Sequence, residues 1–237
     1  MRRFNFKAVY NCRDIGGFIT SSNQLVQSNV FIRSDNLTDL EKSEMDFLEE
    51  RGVQAVIDFR HKNEIDHAPD PFAKHPRIDY HNIAILDHAQ FTLEDLNRIK
   101  LSDLYISMAE NETFVRSVFE TLAQYDKTVL YHCTAGKDRT GVITALLFKL
   151  VGVPDIDIIA DYEVSFTYLV PKYAGRDENV SEMYKDLFDS KPETMETFLN
   201  YLNYKYPNIL DYFASKRISN ETLERIKHKL LGEIGAL

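Results

Sequence analysis

Apolar positions along this chain fall into two kinds of run: short β-branched stretches, and longer ones spaced for one face of a helix. Residues 53–59 (VQAVIDF) and 128–132 (TVLYH) are of the first kind and predict strands buried on both faces. Residues 77–86, with Ile78, Tyr80, Ile83 and Ile85, and the shorter Val30-Phe31-Ile32 predict two more. Residues 18–20 and 25–26 flank Ser21-Ser22-Asn23-Gln24, which predicts a small hairpin. Thr38-Asp39-Leu40-Glu41 has the form of a capping box for a helix whose apolar face holds Leu40, Phe47 and Leu48 and which stops at Gly52. The helical spacing returns over residues 93–108, 113–124 and 141–150.

Strands alternating with helices predict an α/β fold with a central, mostly parallel sheet flanked by helices. Past Pro154 the strand signal fades, and residues 155–169, 193–206 and 220–231 predict helices, with looser patterns near Pro171 and Lys191-Pro192. Tyrosines crowd this helical half, among them Tyr162, Tyr168, Tyr201, Tyr204, Tyr206 and Tyr212. Such a stripe suits helices packed on a sheet, and equally a helical lid beside an active site. No repeat, low-complexity tract or Pro/Ser-rich linker divides the sequence, so residues 1–237 read as one domain.

Charge changes the picture by exclusion. Twenty-eight basic against thirty-seven acidic residues give a net charge of −9, so nucleic acid is not an expected partner and any anion must be held by a local pocket. The apolar stretch around residues 142–153 is interrupted by Lys149 and is too short to be a transmembrane segment. The N-terminus shows no secretory pattern, and Cys12 and Cys133 suggest no disulfide framework. A cytoplasmic, reduced, soluble protein is the expectation. The histidines at 61, 67, 75, 81 and 88 show neither helical pairing nor a CxxC partner, so no metal and no cofactor are expected.

The candidate chemistry lies in Tyr131-His132-Cys133-Thr134-Ala135-Gly136-Lys137-Asp138-Arg139-Thr140-Gly141, where a strand should meet a helix. Five residues between Cys133 and Arg139 can curl with their N–H groups inward as an anion nest, and the helix that follows adds the positive end of its dipole. Arg139 supplies a planar fork that can grip two phosphoryl oxygens. The same field favours the thiolate of Cys133, which can attack phosphorus. Thr134, Ala135, Gly136, Lys137, Asp138, Arg139 and Thr140 would then form the phosphate cradle. A nucleotide P-loop fails at two positions, since Tyr131 stands where Gly is needed and Asp138 where Ser or Thr is needed.

The segment from His132 to Gly141 resembles the phosphate loop of cysteine-dependent protein phosphatases. Its Lys-Asp before the Arg resembles the bacterial and fungal branch with activity toward tyrosine and serine phosphoproteins and phosphoinositides. Asn11-Cys12-Arg13-Asp14-Ile15-Gly16-Gly17, Arg33-Ser34-Asp35-Asn36-Leu37 and Ile57-Asp58-Phe59-Arg60 resemble three further segments of that branch. The resemblance implies a tyrosine-phosphatase-like fold and a phosphocysteine intermediate on Cys133. It also implies transition-state stabilisation by Arg139 and the loop amides, a hydrogen bond from Thr140 to the sulfur, and a tuning role for His132. A general acid must protonate the leaving oxygen. Asp138, Asp87 and Asp58 are the candidates, Asp58 being equally suited to a structural pair with Arg60 or Arg13. Phosphotyrosine proteins are the expected substrates and phosphoinositide headgroups, through Lys137, the alternative. Phosphate, vanadate or sulfate should occupy the site as anions. A retired phosphate-binding module and a rhodanese-like sulfurtransferase are the competing classes.

Overall fold

The computed structural model describes residues 2–85, 100–173 and 189–232. Its sheet is built around the buried run Thr128–His132 (β6), which lies between Phe31–Ser34 (β3) and Val53–Asp58 (β4), parallel to both. Asp79–Asn82 (β5) extends the parallel part beyond β4. On the other side two short antiparallel strands, Arg13–Asp14 (β2) and Arg2–Arg3 (β1), complete the order β1-β2-β3-β6-β4-β5. Mostly parallel pairing, as the alternation predicts, thus holds for β3, β6, β4 and β5, while the dipeptide strands β1 and β2 carry too few residues to show a period.

Successive residues of a strand face opposite sides, and the core divides accordingly. Phe31, Ala55, Ile57, Val129 and Tyr131 join one large cluster, whereas Ile32, Val56 and Leu130 join a smaller one with Phe4, Leu48 and Phe72. The larger cluster is covered by Leu101–Glu110 (α3), Glu112–Gln124 (α4), Asp138–Val151 (α5), Asp155–Tyr173 (α6), Pro192–Lys205 (α7), Ile209–Ser215 (α8) and Asn220–Leu231 (α9). The smaller cluster is covered by Lys42–Glu50 (α1) and the 3-10 turn Pro71–Lys74, and Lys62–His67 (α2) lies between β4 and β5 in sequence.

Three local expectations are corrected. The first helix begins at Lys42, not after Thr38: the Thr38 hydroxyl is spent on Asn36 Oδ1 and the Ala68 carbonyl, and Glu44 caps the Glu41 N–H instead. The strand predicted over residues 77–86 is confined to Asp79–Asn82 among the described residues. Pro171 is accommodated inside α6. The hairpin at residues 18–26 forms around the single bridge Ile19–Leu25. Tyr162 and Tyr212 are core residues, whereas Tyr204 is exposed. No helix of the described residues is long and apolar enough to cross a membrane.

Candidate active site

Ser34, His132 and Asp58 lie abreast at the carboxyl ends of the three central strands, the end of an open α/β sheet where ligands bind. The loop Cys133–Lys137 leaves β6 at this edge and runs into α5. Its carbonyls are taken from outside: Thr134 O accepts from Asn36 N, Ala135 O and Gly136 O from Asn11 Nδ2, and Gly136 O also from Arg33 Nη2 at 2.7 Å. The Cys133 sulfur accepts the Gly136 N–H at 3.3 Å, so it points into the loop although the residue is buried. Gly136 has φ +65°, and a Cβ there would lie 2.3 Å from the Ser34 carbonyl, so only glycine lets the loop lie on β3.

Arg139 closes the loop on a carboxylate absent from the candidate set. Glu64, on α2, accepts Arg139 Nη1 at 2.7 Å and Nη2 at 2.8 Å, the Thr134 hydroxyl, and the His61 N–H at 2.9 Å. Burial alone would raise the Glu64 carboxyl; the bonds from Arg139 and Thr134 outweigh it and bring it down to about 2. Arg139 Nη1 also reaches the Phe59 carbonyl at 3.3 Å. One side chain thus ties Thr134, near the start of the loop, to Arg139 near its end.

Asp58 belongs to a different group. It is fully buried, Arg60 donates to both of its oxygens, and Tyr80 donates to Oδ2 at 2.8 Å. His132 Nε2 stands 3.0 Å from Asp70 Oδ2 and 3.7 Å from Asp58 Oδ2. Burial opposes charge on both groups, yet the Asp58 carboxyl is held below its ordinary range by His132 and Arg60, and the His132 imidazole above its own by Asp58 and Asp70. Asp58, Asp70 and His132 could each offer a ligand atom to a metal, all within 4.8 Å of one another, but the Arg60 guanidinium already supplies a cation, 2.7 Å from Asp58 and 3.8 Å from Asp70.

Asp138 opens α5 from within the loop and accepts the Tyr105 hydroxyl at 2.5 Å. Lys137 is buried, with Nζ donating to the Asp189 carbonyl at 2.7 Å and lying 3.5 Å from Asp138. The Thr140 hydroxyl is buried without a hydrogen-bond partner among the described residues, so the bond to sulfur implied by the resemblance is not made here. Asp87 and His88 lie outside the described residues.

Over residues 4–232 the sequence matches the model of the tyrosine phosphatase family. The chain belongs to that family. It is 34% identical over 158 residues to a tyrosine-protein phosphatase of Nostoc commune, covering 65% of this chain and 54% of that one. It is 30% identical over 133 residues to the triple specificity protein phosphatase PtpB of Mycobacterium tuberculosis, covering 47% of each. The chain therefore spans about half the length of these curated relatives. Of the solved structures, the Siw14 catalytic core aligns with 90% of this chain and 97% of its own at 12% identity and a TM-score of 0.44.

For this tyrosine phosphatase family member, sequence reasoning missed Glu64, Tyr105 and Asp70. Each stands at least 33 residues from its partner in the loop or on β6, and no local pattern marks it, although Glu64 three residues after His61 follows capping-box spacing. Asn11, Arg13 and Arg33 were noted as family-like segments, and the structure supplies their physical role as outer supports of the cradle.

Proposed function

We propose that this chain hydrolyses phosphate monoesters, phosphotyrosine first among them, through a phosphocysteine on Cys133. The supporting observation is the Cys133 sulfur inside its own loop, bonded to the Gly136 N–H, with Arg139 at the end of the same loop. Family membership and the relatives named as tyrosine-protein phosphatases point the same way. The thiolate pair attacks phosphorus; as the S–P bond forms, the ester P–O pair passes to the leaving oxygen, which takes a proton from a carboxylic acid. Water then attacks phosphorus, its proton goes to the carboxylate, and the S–P pair returns to sulfur.

Asp138 is the acid this reading favours. It sits in the loop itself and is partly exposed, whereas both oxygens of Asp58 are engaged and its ionised form is favoured. The alternative of phosphoinositide headgroups leaned on Lys137, whose Nζ is turned to the Asp189 carbonyl, so the geometry lends that reading no support. Family membership likewise leaves sulfur transfer without a basis.

Cys133→Ser should abolish turnover of an aryl phosphate while inorganic phosphate still binds; a retained catalytic rate, or no turnover by the intact chain, overturns the proposal. Arg139→Lys should lower kcat by roughly 10²–10³, because an ammonium cannot hold both Glu64 oxygens and still present a planar N–H edge to the phosphoryl group. With asparagine placed in turn at 58, 87 and 138, only position 138 should flatten the basic limb of the pH–rate profile.

A further inference from the structure

Two buried phenols stand in line behind Asp138. Tyr105 on α3, fully buried, donates to Asp138 Oδ1 at 2.5 Å, and the Tyr162 hydroxyl on α6 lies 2.9 Å from the Tyr105 oxygen. Tyr105 has one hydroxyl proton and the carboxylate takes it, so Tyr162 is the donor within the phenol pair. Burial and then the Asp138 charge push the Tyr105 phenol well above its ordinary range, so that proton stays on oxygen. The rings meet edge to face at 5.9 Å, and Tyr105 also packs on Phe198 at 6.3 Å, which fixes where the hydroxyls stand. Phenylalanine would serve packing alone; a buried hydroxyl is costly unless it is bonded, and these two form a directed chain that ends on the carboxylate.

We propose that Tyr105, backed by Tyr162, is a positioning residue: it reserves Oδ1 of Asp138 and leaves Oδ2 to carry the proton given to the leaving group. This rests on the reading of Asp138 as the acid. Lys137 Nζ, 3.5 Å away, faces the same Oδ1, and among the described residues no partner meets Oδ2. The other charges around this group are Arg139 on α5, Arg33 on β3, Asp161 on α6 and Asp189. In the first step the ester P–O pair moves to the leaving oxygen as the S–P bond forms, and that oxygen takes the hydrogen from Oδ2. The carboxylate left behind keeps the Tyr105 hydrogen bond on Oδ1. In the second step water attacks phosphorus and returns a proton to Oδ2, and the S–P pair goes back to sulfur.

Acid assistance matters for poor leaving groups and little for good ones, which separates it from a merely structural role. In the intact chain, kcat is measured on phenyl phosphate and on 2,4-dinitrophenyl phosphate for Tyr105→Phe, Tyr162→Phe and Asp138→Asn, with thermal unfolding run alongside. Tyr105→Phe should lose about tenfold on phenyl phosphate and under about twofold on the dinitrophenyl ester. Tyr162→Phe should lose less with the same selectivity, and Asp138→Asn should lose more. Equal losses on both esters in the two tyrosine variants, or none, with Asp138→Asn still selective, would overturn the positioning role and leave Asp138 as the acid. A non-selective Asp138→Asn would overturn that reading and the positioning role with it.

Discussion

Arg139 carries a permanent charge, so what the protein adds is its aim. Glu64 supplies that aim by holding both terminal nitrogens of the guanidinium and the Thr134 hydroxyl. Small misplacements of a catalytic group cost on the order of 10² in rate. Glu64→Ala should therefore lower kcat/KM on an aryl phosphate by roughly 10–100-fold, with Glu64→Gln between it and wild type, because the amide keeps one acceptor and loses the charge. Unchanged kcat/KM in the alanine variant would show that Arg139 needs no anchor. Cys133, Arg139 and Asp138 could be singled out as candidates because they share one short loop whose spacing is its geometry. Glu64 and Tyr105 were not, because nothing near them in sequence refers to the loop they touch. For Asp58 the sequence left an acid and a structural pair with Arg60 or Arg13 equally open, and the packing shows the pair with Arg60, with both oxygens engaged.

At the scale of elements, the join between β6 and α5 holds the proposed site, and its outer surface rests on the end of β3. Gly136 is the point of closest approach. A side chain there meets an unfavourable left-handed backbone, worth about 1–2 kcal/mol, and a backbone carbonyl 2.3 Å from its Cβ. Gly136→Ala should thus lower the stability measured by urea unfolding by about 1–3 kcal/mol and weaken inorganic phosphate binding by about tenfold. Equal stability and binding would mean that the loop can lift off β3 freely. The long elements were read from period alone, Asn220–Leu231 and Thr128–His132 to the residue. The short ones, β1, β2, α2 and α8, hold too few turns or alternations to give a signal.

In the molecule as a whole, a buried charge network joins the first strands to the helical half. Asp161 on α6 accepts from Arg13 Nε at 3.0 Å and pairs with Arg33, while Arg33 also holds the Gly136 carbonyl. Burial opposes ionisation of Asp161, and Arg13 and Arg33 overcome it, so its carboxyl lies below the ordinary range. Removing one member leaves buried charges unpaired, and Asp161→Asn should cost on the order of 3–5 kcal/mol in urea unfolding. A carboxyl depressed on folding adds stability above its unfolded value of about 4 and loses it as pH falls below that. Wild type should therefore weaken as pH drops from about 4, and the asparagine variant should weaken less steeply. An identical acid dependence would show that Asp161 contributes nothing to it.

By itself the sequence determined the alternation of strands and helices, and it marked one short loop as the candidate seat of a phosphoryl group, with Cys133 as the proposed nucleophile. These are local properties, set by side-chain period and by a spacing of six residues. Only the tertiary structure decided what surrounds that loop. Placing β6 between β3 and β4 brings Asn11, Arg33, Glu64 and Tyr105 from four separate stretches to the same edge. Hydrogen bonds and charge pairs act over a few ångströms of space whatever the chain length between the partners, so the aim of Arg139 and the engagement of Asp58 and Asp138 arise only in the folded chain.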